Sequence, residues 1–154
     1  VRVVLIGQAP ARVSPEPWHY AAPSTKRLAA VMRCEPELIR SIFEARNLLT
    51  RYPGKIRRER SEGPSDRFPW TRARRAAKQM TSTLAGRDVV IVGARVARCF
   101  GLVANVVGYL KWFHDAELDA RVAIMPHPSG LNRWWNDLEN QMAAKRFLLR
   151  AIGE

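Results

Sequence analysis

The chain has 154 residues, with 26 Lys and Arg against 14 Asp and Glu, for a formal net charge of +12. That length suits one domain with one core and no need of disulfides; Cys34 and Cys99 offer no CxxC spacing for zinc or an iron–sulfur cluster, and no apolar run approaches the ~18 residues of a membrane span. The excess of cations, mostly arginine with its phosphate-matching fork, favours a polyanionic partner, nucleic acid ahead of an anionic membrane surface.

Val1–Ile6 is an apolar strand candidate broken only by Arg2, and it meets Gly7-Gln8-Ala9-Pro10 at once, as a strand meets a loop rather than as a signal peptide meets its cleavage site. The expected location is therefore cytoplasmic. Val13–Pro23, rich in proline and carrying Trp18, His19 and Tyr20, reads as an irregular segment, after which Ser24 or Thr25 caps a helix to about Arg33. Pro36 opens a second helix, Glu37–Ala45, and Asn47–Thr50 is a short second strand. From Lys55 to Lys78 basic residues outnumber Glu59, Glu62 and Asp66. The first part, about 55–69, reads as a basic mobile loop, and the second as a basic helix from about Pro69 to Leu84, ended by Gly86.

Val89–Val92 is the clearest strand, and Gly93 turns it into a helix over Ala94–Phe100. Leu102–Asp119 is ambiguous, with helix favoured. Val122–Met125 is the last strand, and a final helix runs from about Trp134 to Ile152. Strands alternating with helices predict one domain over residues 1–154, a three-layer α/β/α sandwich on a mainly parallel four-stranded sheet. In such folds ligands bind beyond the carboxyl ends of the strands.

One stretch stands out there. Met125-Pro126-His127-Pro128-Ser129-Gly130-Leu131-Asn132-Arg133-Trp134-Trp135 leaves the last strand carrying far more functional side chains than a connector needs. The first loop lacks both GxGxxG spacing and a Walker lysine, so neither a dinucleotide nor a nucleoside triphosphate site is indicated.

Taken together, Gly-Gln-Ala-Pro after the first strand and His-Pro-Ser-Gly-Leu-Asn after the last resemble the two motifs of the uracil-DNA glycosylase superfamily. Tyr20-Ala21-Ala22-Pro23 through Leu28 is similar to that family's segment with a base-stacking aromatic residue. Arg46-Asn47-Leu48-Leu49 is similar to its strand with a pyrimidine-reading asparagine, and Val89–Phe100 to its third strand and helix. The basic loop and Leu102–Asp119 have no counterpart.

The resemblance implies a DNA-binding protein, single- or double-stranded, that flips a base from the stack, without cofactor, metal or membrane contact and as a monomer. It places Gln8 and His127 in the catalytic role, with His127 facing O2 of the leaving base. Gln8, Ala9, Tyr20, Asn47 and His127 line the base, with Trp18 the substitute for Tyr20. Asn47 has the donor and acceptor that the uracil N3 and O4 edge needs, although an Asx-turn also suits it. Ser24, Lys26, Ser129, Asn132 and Arg133 hold DNA, and Leu131 wedges into the gap left by the flipped nucleotide.

The sequence departs from the family at the first motif. Many members carry Asp or Glu there, to orient water and balance the oxocarbenium-like sugar, whereas Gln8 and Ala9 cannot ionise. Glu16 is the nearest carboxylate in sequence. Three activities stay open: hydrolysis of the glycosidic bond of uracil or a 5-substituted uracil in DNA, non-hydrolytic recognition of DNA or modified bases, and turnover of free nucleosides or nucleotides.

Overall fold

The computed structural model describes residues 1–56, 65–129 and 132–153. Its centre is a five-stranded sheet built from β1 (Val4–Gly7), β2 (Glu44–Asn47), β5 (Asp88–Val92), β6 (Phe113–Asp115) and β7 (Ala120–Met125). The spatial order is β2-β1-β5-β7-β6. The first four run parallel, and β6 lies antiparallel on β7. A separate antiparallel ribbon pairs β3 (Lys55–Ile56) with β4 (Ser65–Asp66).

The inner strands alternate between two apolar layers, as a pleated strand must. Val4, Ile6, Val89, Ile91, Val122 and Ile124 face one cluster, which contains Ala73 and Ala77 of α3 (Trp70–Met80) and Val96 and Ala97 of α4 (Ala94–Cys99). Leu5, Val90, Val92, Ala123 and Met125 face the other. That cluster contains Leu28 and Ala29 of α1 (Pro23–Met32) and Ala144, Phe147 and Leu148 of α6 (Leu138–Ala151). Helices therefore cover both faces, giving three layers.

Local chemistry fixes the helix ends. Pro23 sits in the first turn of α1, where its missing N–H is no loss, and the Asp137 carboxylate caps α6 by accepting the Glu139 N–H at 2.8 Å. At the amino-terminal edge of the sheet, Glu44 accepts from both Arg46 and Arg87, and Arg87 also donates to the Arg2 carbonyl at 3.0 Å. Hydrogen bonds from Arg87, then Arg46, hold the Glu44 carboxyl below its ordinary range. This ionic clasp joins three chain segments at the end of the sheet away from the loops that leave it.

Several expectations are corrected. The sheet has five strands rather than four, because part of Leu102–Asp119 forms β6, preceded only by the short helix α5 (Ala104–Val107). The second strand ends at Asn47 instead of starting there. Leu48 and Leu49 follow it, donating to the Gly7 and Gln8 carbonyls at 3.0 and 2.9 Å. Both misreadings concern edge strands, Glu-Ala-Arg-Asn and Phe-His-Asp, whose exposed sides carry polar residues and break the apolar pattern. The expected helix Glu37–Ala45 shrinks to a 3₁₀ turn, Pro36–Leu38, and α2 (Ile39–Ile42). Neither Ser24 nor Thr25 caps α1, whose cap position is Ala22. Of the expected basic loop at about 55–69, residues 57–64 lie outside the described residues.

Candidate functional site

Four chain segments leave the carboxyl edge of the sheet in spatial order: Asn47 at the end of β2, Gly7 and Gln8 after β1, Gly93 after β5, and Pro126-His127 after β7. Three strand spacings separate the outer two, so the row spans about 14 Å. Glycines stand at two close approaches along it. Gly7 is the register partner of Asn47, and a Cβ there would lie 2.6 Å from Asn47 Oδ1 and 3.1 Å from two atoms of the Trp18 indole. Gly93 has φ +97, a conformation natural to glycine, and the place of its absent Cβ is 3.4 Å from the Cβ of His127.

Trp18 is the aromatic residue at this end of the row. It is buried at 6% exposure and adopts a left-handed backbone at φ 53, whereas Tyr20 is 51% exposed and stacks on His19 with 4.3 Å between ring centroids. A left-handed tryptophan is disfavoured by roughly 1–2 kcal/mol, so the burial of its indole must hold it. Two donors at this point, Trp18 Nε1 and Asn47 Nδ2, are buried without a hydrogen-bond partner.

The opposite end is braced through the backbone of His127. Its carbonyl accepts from Trp135 Nε1 at 2.9 Å, Asn132 Nδ2 at 3.1 Å and the Ser129 N–H at 2.9 Å. Asn132 also accepts the Trp134 N–H at 3.1 Å, so both ends of its amide serve the loop. Arg27 of α1 donates to the Ser129 carbonyl at 3.4 Å and to Asn136 Oδ1 at 3.3 Å, tying α1 to this loop. The histidine is thus set by a framework of side chains on α1, the loop and the 3₁₀ turn Arg133–Asn136.

Among the sequence candidates, the structure gathers Gln8, Ala9, Asn47 and His127 along one edge. Gln8 and Ala9 are half-buried, and Ala9 packs on the core under the sheet. Ser24 and the exposed Lys26 lie in the first turn of α1, which Arg27 joins to Ser129; Arg133 is exposed at the start of the 3₁₀ turn. Leu131 lies outside the described residues. Glu16 pairs with Arg40 at 2.7 Å, and both are about half exposed, so its carboxylate is committed to α2. Burial pushes the Cys34 and Cys99 thiols up, which makes neither a ready nucleophile. Among the described residues no three His, Cys, Asp or Glu side chains gather as metal ligands.

A family model of the uracil DNA glycosylase superfamily matches residues 1–150. The chain belongs to the uracil-DNA glycosylase superfamily. None of the curated proteins matches it at a significant level. Superfamily members are glycosidic hydrolases that act on DNA, and their α/β fold agrees with the mostly parallel sheet here. Among the described residues of this superfamily member, no helix is long and apolar enough to cross a membrane.

Sequence reasoning missed two supports of the site. Trp135 looks like helix packing, and it is fully buried, yet its indole N–H holds the His127 carbonyl. Arg27 reaches a loop 102 residues away, a relation that no local pattern encodes.

Proposed function

We propose that this superfamily member is a DNA glycosylase that extrudes uracil or a 5-substituted uracil and hydrolyses its N-glycosidic bond. The observation that carries the reading is the row itself: a pyrimidine-matched amide at one end of the carboxyl edge and a rigidly braced histidine at the other, on the superfamily's fold.

The chemistry divides between the two ends. Asn47 Oδ1 accepts the N3–H of uracil and its Nδ2 donates to O4, which gives the buried Nδ2 the partner it lacks. The Trp18 indole and the Asn47 amide both border the place of the absent Gly7 Cβ, so the glycine leaves room for both. As the C1′–N1 bond breaks, its electron pair leaves with the base and negative charge spreads to O2. A donor on His127 stabilises that charge, and three hydrogen bonds to its own carbonyl keep the residue from reorganising as the charge develops. Water adds to C1′, and the proton it gives up passes through solvent to the departed base anion, leaving an abasic sugar and the neutral free base. The amide of Gln8 orients that water without serving as a base.

The second reading, non-hydrolytic recognition of a modified base, is favoured by Gln8 and Ala9 at the acid position and by the engagement of Glu16 with Arg40. One experiment separates the two: a base-release panel on single- and double-stranded oligonucleotides carrying uracil, 5-hydroxymethyluracil or hypoxanthine. Alkali-labile sites at uracil or its 5-substituted form support the glycosylase. Selective binding without product on any substrate replaces it with the binder.

A further inference from the structure

The most basic element of the molecule, α3, is not used by the site described above. Its sequence, Trp-Thr-Arg-Ala-Arg-Arg-Ala-Ala-Lys-Gln-Met, contains Arg72, Arg74, Arg75 and Lys78 and no acidic residue. Arg72 and Arg75, and Arg75 and Lys78, stand three apart, and Arg74 and Lys78 four apart; like charges at these spacings repel on one helix surface. Several arginines elsewhere have intramolecular partners, Arg40 with Glu16, Arg46 and Arg87 with Glu44, Arg121 with Asp88, and Arg27 with a carbonyl and an amide, while others, such as Arg133, are single surface cations rather than members of a cluster. On α3, Arg72, Arg75 and Lys78 are exposed and form no ion pair with a described acidic residue. A repulsive cluster with no counter-ion among the described residues is suited to an external polyanion.

An aromatic group lies within the same patch. Phe68 and Trp70 meet edge to face at 4.5 Å between centroids, Arg74 stacks over the Trp70 ring at 5.2 Å, and Arg95 lies over Phe68 at 5.8 Å. Beside them Pro69, Trp70, Thr71, Arg72 and Arg75 line an open cleft of about 380 Å³. Its place in the fold links it to the site. α3 precedes β5 and begins at the carboxyl edge of the sheet, and Arg95 follows Gly93, the residue that touches His127, by two positions.

We propose that this cleft is a second DNA subsite, taking an unpaired nucleotide of the strand beside the extruded one, with its base against Trp70 and its phosphates on Arg72 and Arg75. The inference rests on DNA being the substrate, and it adds a strand preference to that reading. A half-buried ring at the wall of an open cleft, among cations, is an arrangement that binds single strands, since only an unpaired base offers a free face for stacking and the guanidinium forks match phosphate. A duplex presents the phosphates but keeps its bases stacked within.

The test is fluorescence anisotropy with a labelled oligothymidylate and a labelled duplex of the same length, neither containing an excisable base. Base release is not read, so a failure of the glycosylase reading in its own assay leaves this measurement interpretable. Trp70→Ala is expected to weaken single-strand binding roughly 5- to 150-fold, Trp70→Phe to restore most of it, and duplex affinity to stay within about twofold. The exposed double substitution Arg72→Gln/Arg75→Gln, which removes no buried contact, is expected to lower the slope of log K against log salt for the single strand by about 1.4. Equal losses on both oligonucleotides, or an unchanged single-strand salt slope in the arginine variant, would overturn the proposal.

Discussion

Gly7 and Asn47 face each other at the carboxyl ends of adjacent parallel strands, and the Asn47 Oδ1 stands 2.6 Å from where a Cβ on Gly7 would be. An alanine there cannot coexist with the amide in its present position, and its methyl group would also crowd the Trp18 indole at 3.1 Å. Gly7→Ala therefore moves the amide proposed to read the base while leaving the buried strand intact. The expected result is a fall in base-release kcat/KM of roughly 10- to 100-fold, with overpacking destabilising the fold by about 1–3 kcal/mol. Thermal melts alongside single-turnover release measure both. A variant with unchanged kcat/KM would remove Asn47 from the reading of the base.

Trp135→Phe preserves most of the buried ring but removes the N–H that holds the His127 carbonyl. Loss of this bond is expected to destabilise the protein by about 0.5–1.5 kcal/mol and no more, because the carbonyl keeps two other donors and is not left unsatisfied. Turnover is expected to fall without a change in KM, as for a positioning residue acting through His127. An effect on KM alone would assign Trp135 to substrate binding.

Gln8→Asp restores a carboxylate at the position where many superfamily members carry one. If the amide limits hydrolysis, the single-turnover rate is expected to rise roughly 10- to 100-fold. That gain should develop as pH rises through the carboxylate range near about 4, where the new group ionises. A rate equal to the wild type's at every pH would show that the reaction does not use a carboxylate from this loop.

The Glu44 clasp sets a pH dependence of stability separate from the site. Its carboxyl is held low by hydrogen bonds from Arg87 and Arg46, so the folded protein binds this proton less readily than the unfolded chain. The stabilisation is complete above the ordinary glutamate value of about 4.3 and is lost as pH falls through the lowered folded value. Asp88, held low by Arg121, acts in the same direction. Glu44→Gln is expected to destabilise the fold by on the order of 1 kcal/mol at neutral pH and to flatten its acid limb. Urea melts from pH 7 to pH 3 measure this; parallel curves for the two proteins would contradict it.

What could be read from the chain follows from where side chains face. Val89–Val92 and Val122–Met125 are buried on both sides, so nothing but apolar residues fits and the strands announce themselves. Glu44–Asn47 and Phe113–Asp115 are sheet edges, and their polar residues carry no such signal. The proline- and glycine-marked loops pointed to Gln8 and His127, which do share one sheet edge. That Trp18 is buried beside Gly7 while Tyr20 is exposed rests on a left-handed residue within a proline-rich segment, a backbone feature without a sequence signature for tryptophan. The Arg27 brace was invisible because it joins α1 to a loop that only the folded sheet brings near.

The most direct test of the central claim is single-turnover base release by the wild type and by His127→Ala on one uracil-containing oligonucleotide at saturating enzyme. The expected result is free uracil from the wild type and a rate lower by roughly 100- to 1000-fold in the variant, the usual loss when a preorganised donor to a developing anion is removed. Equal rates for the two proteins, or no free base from the wild type, would contradict it.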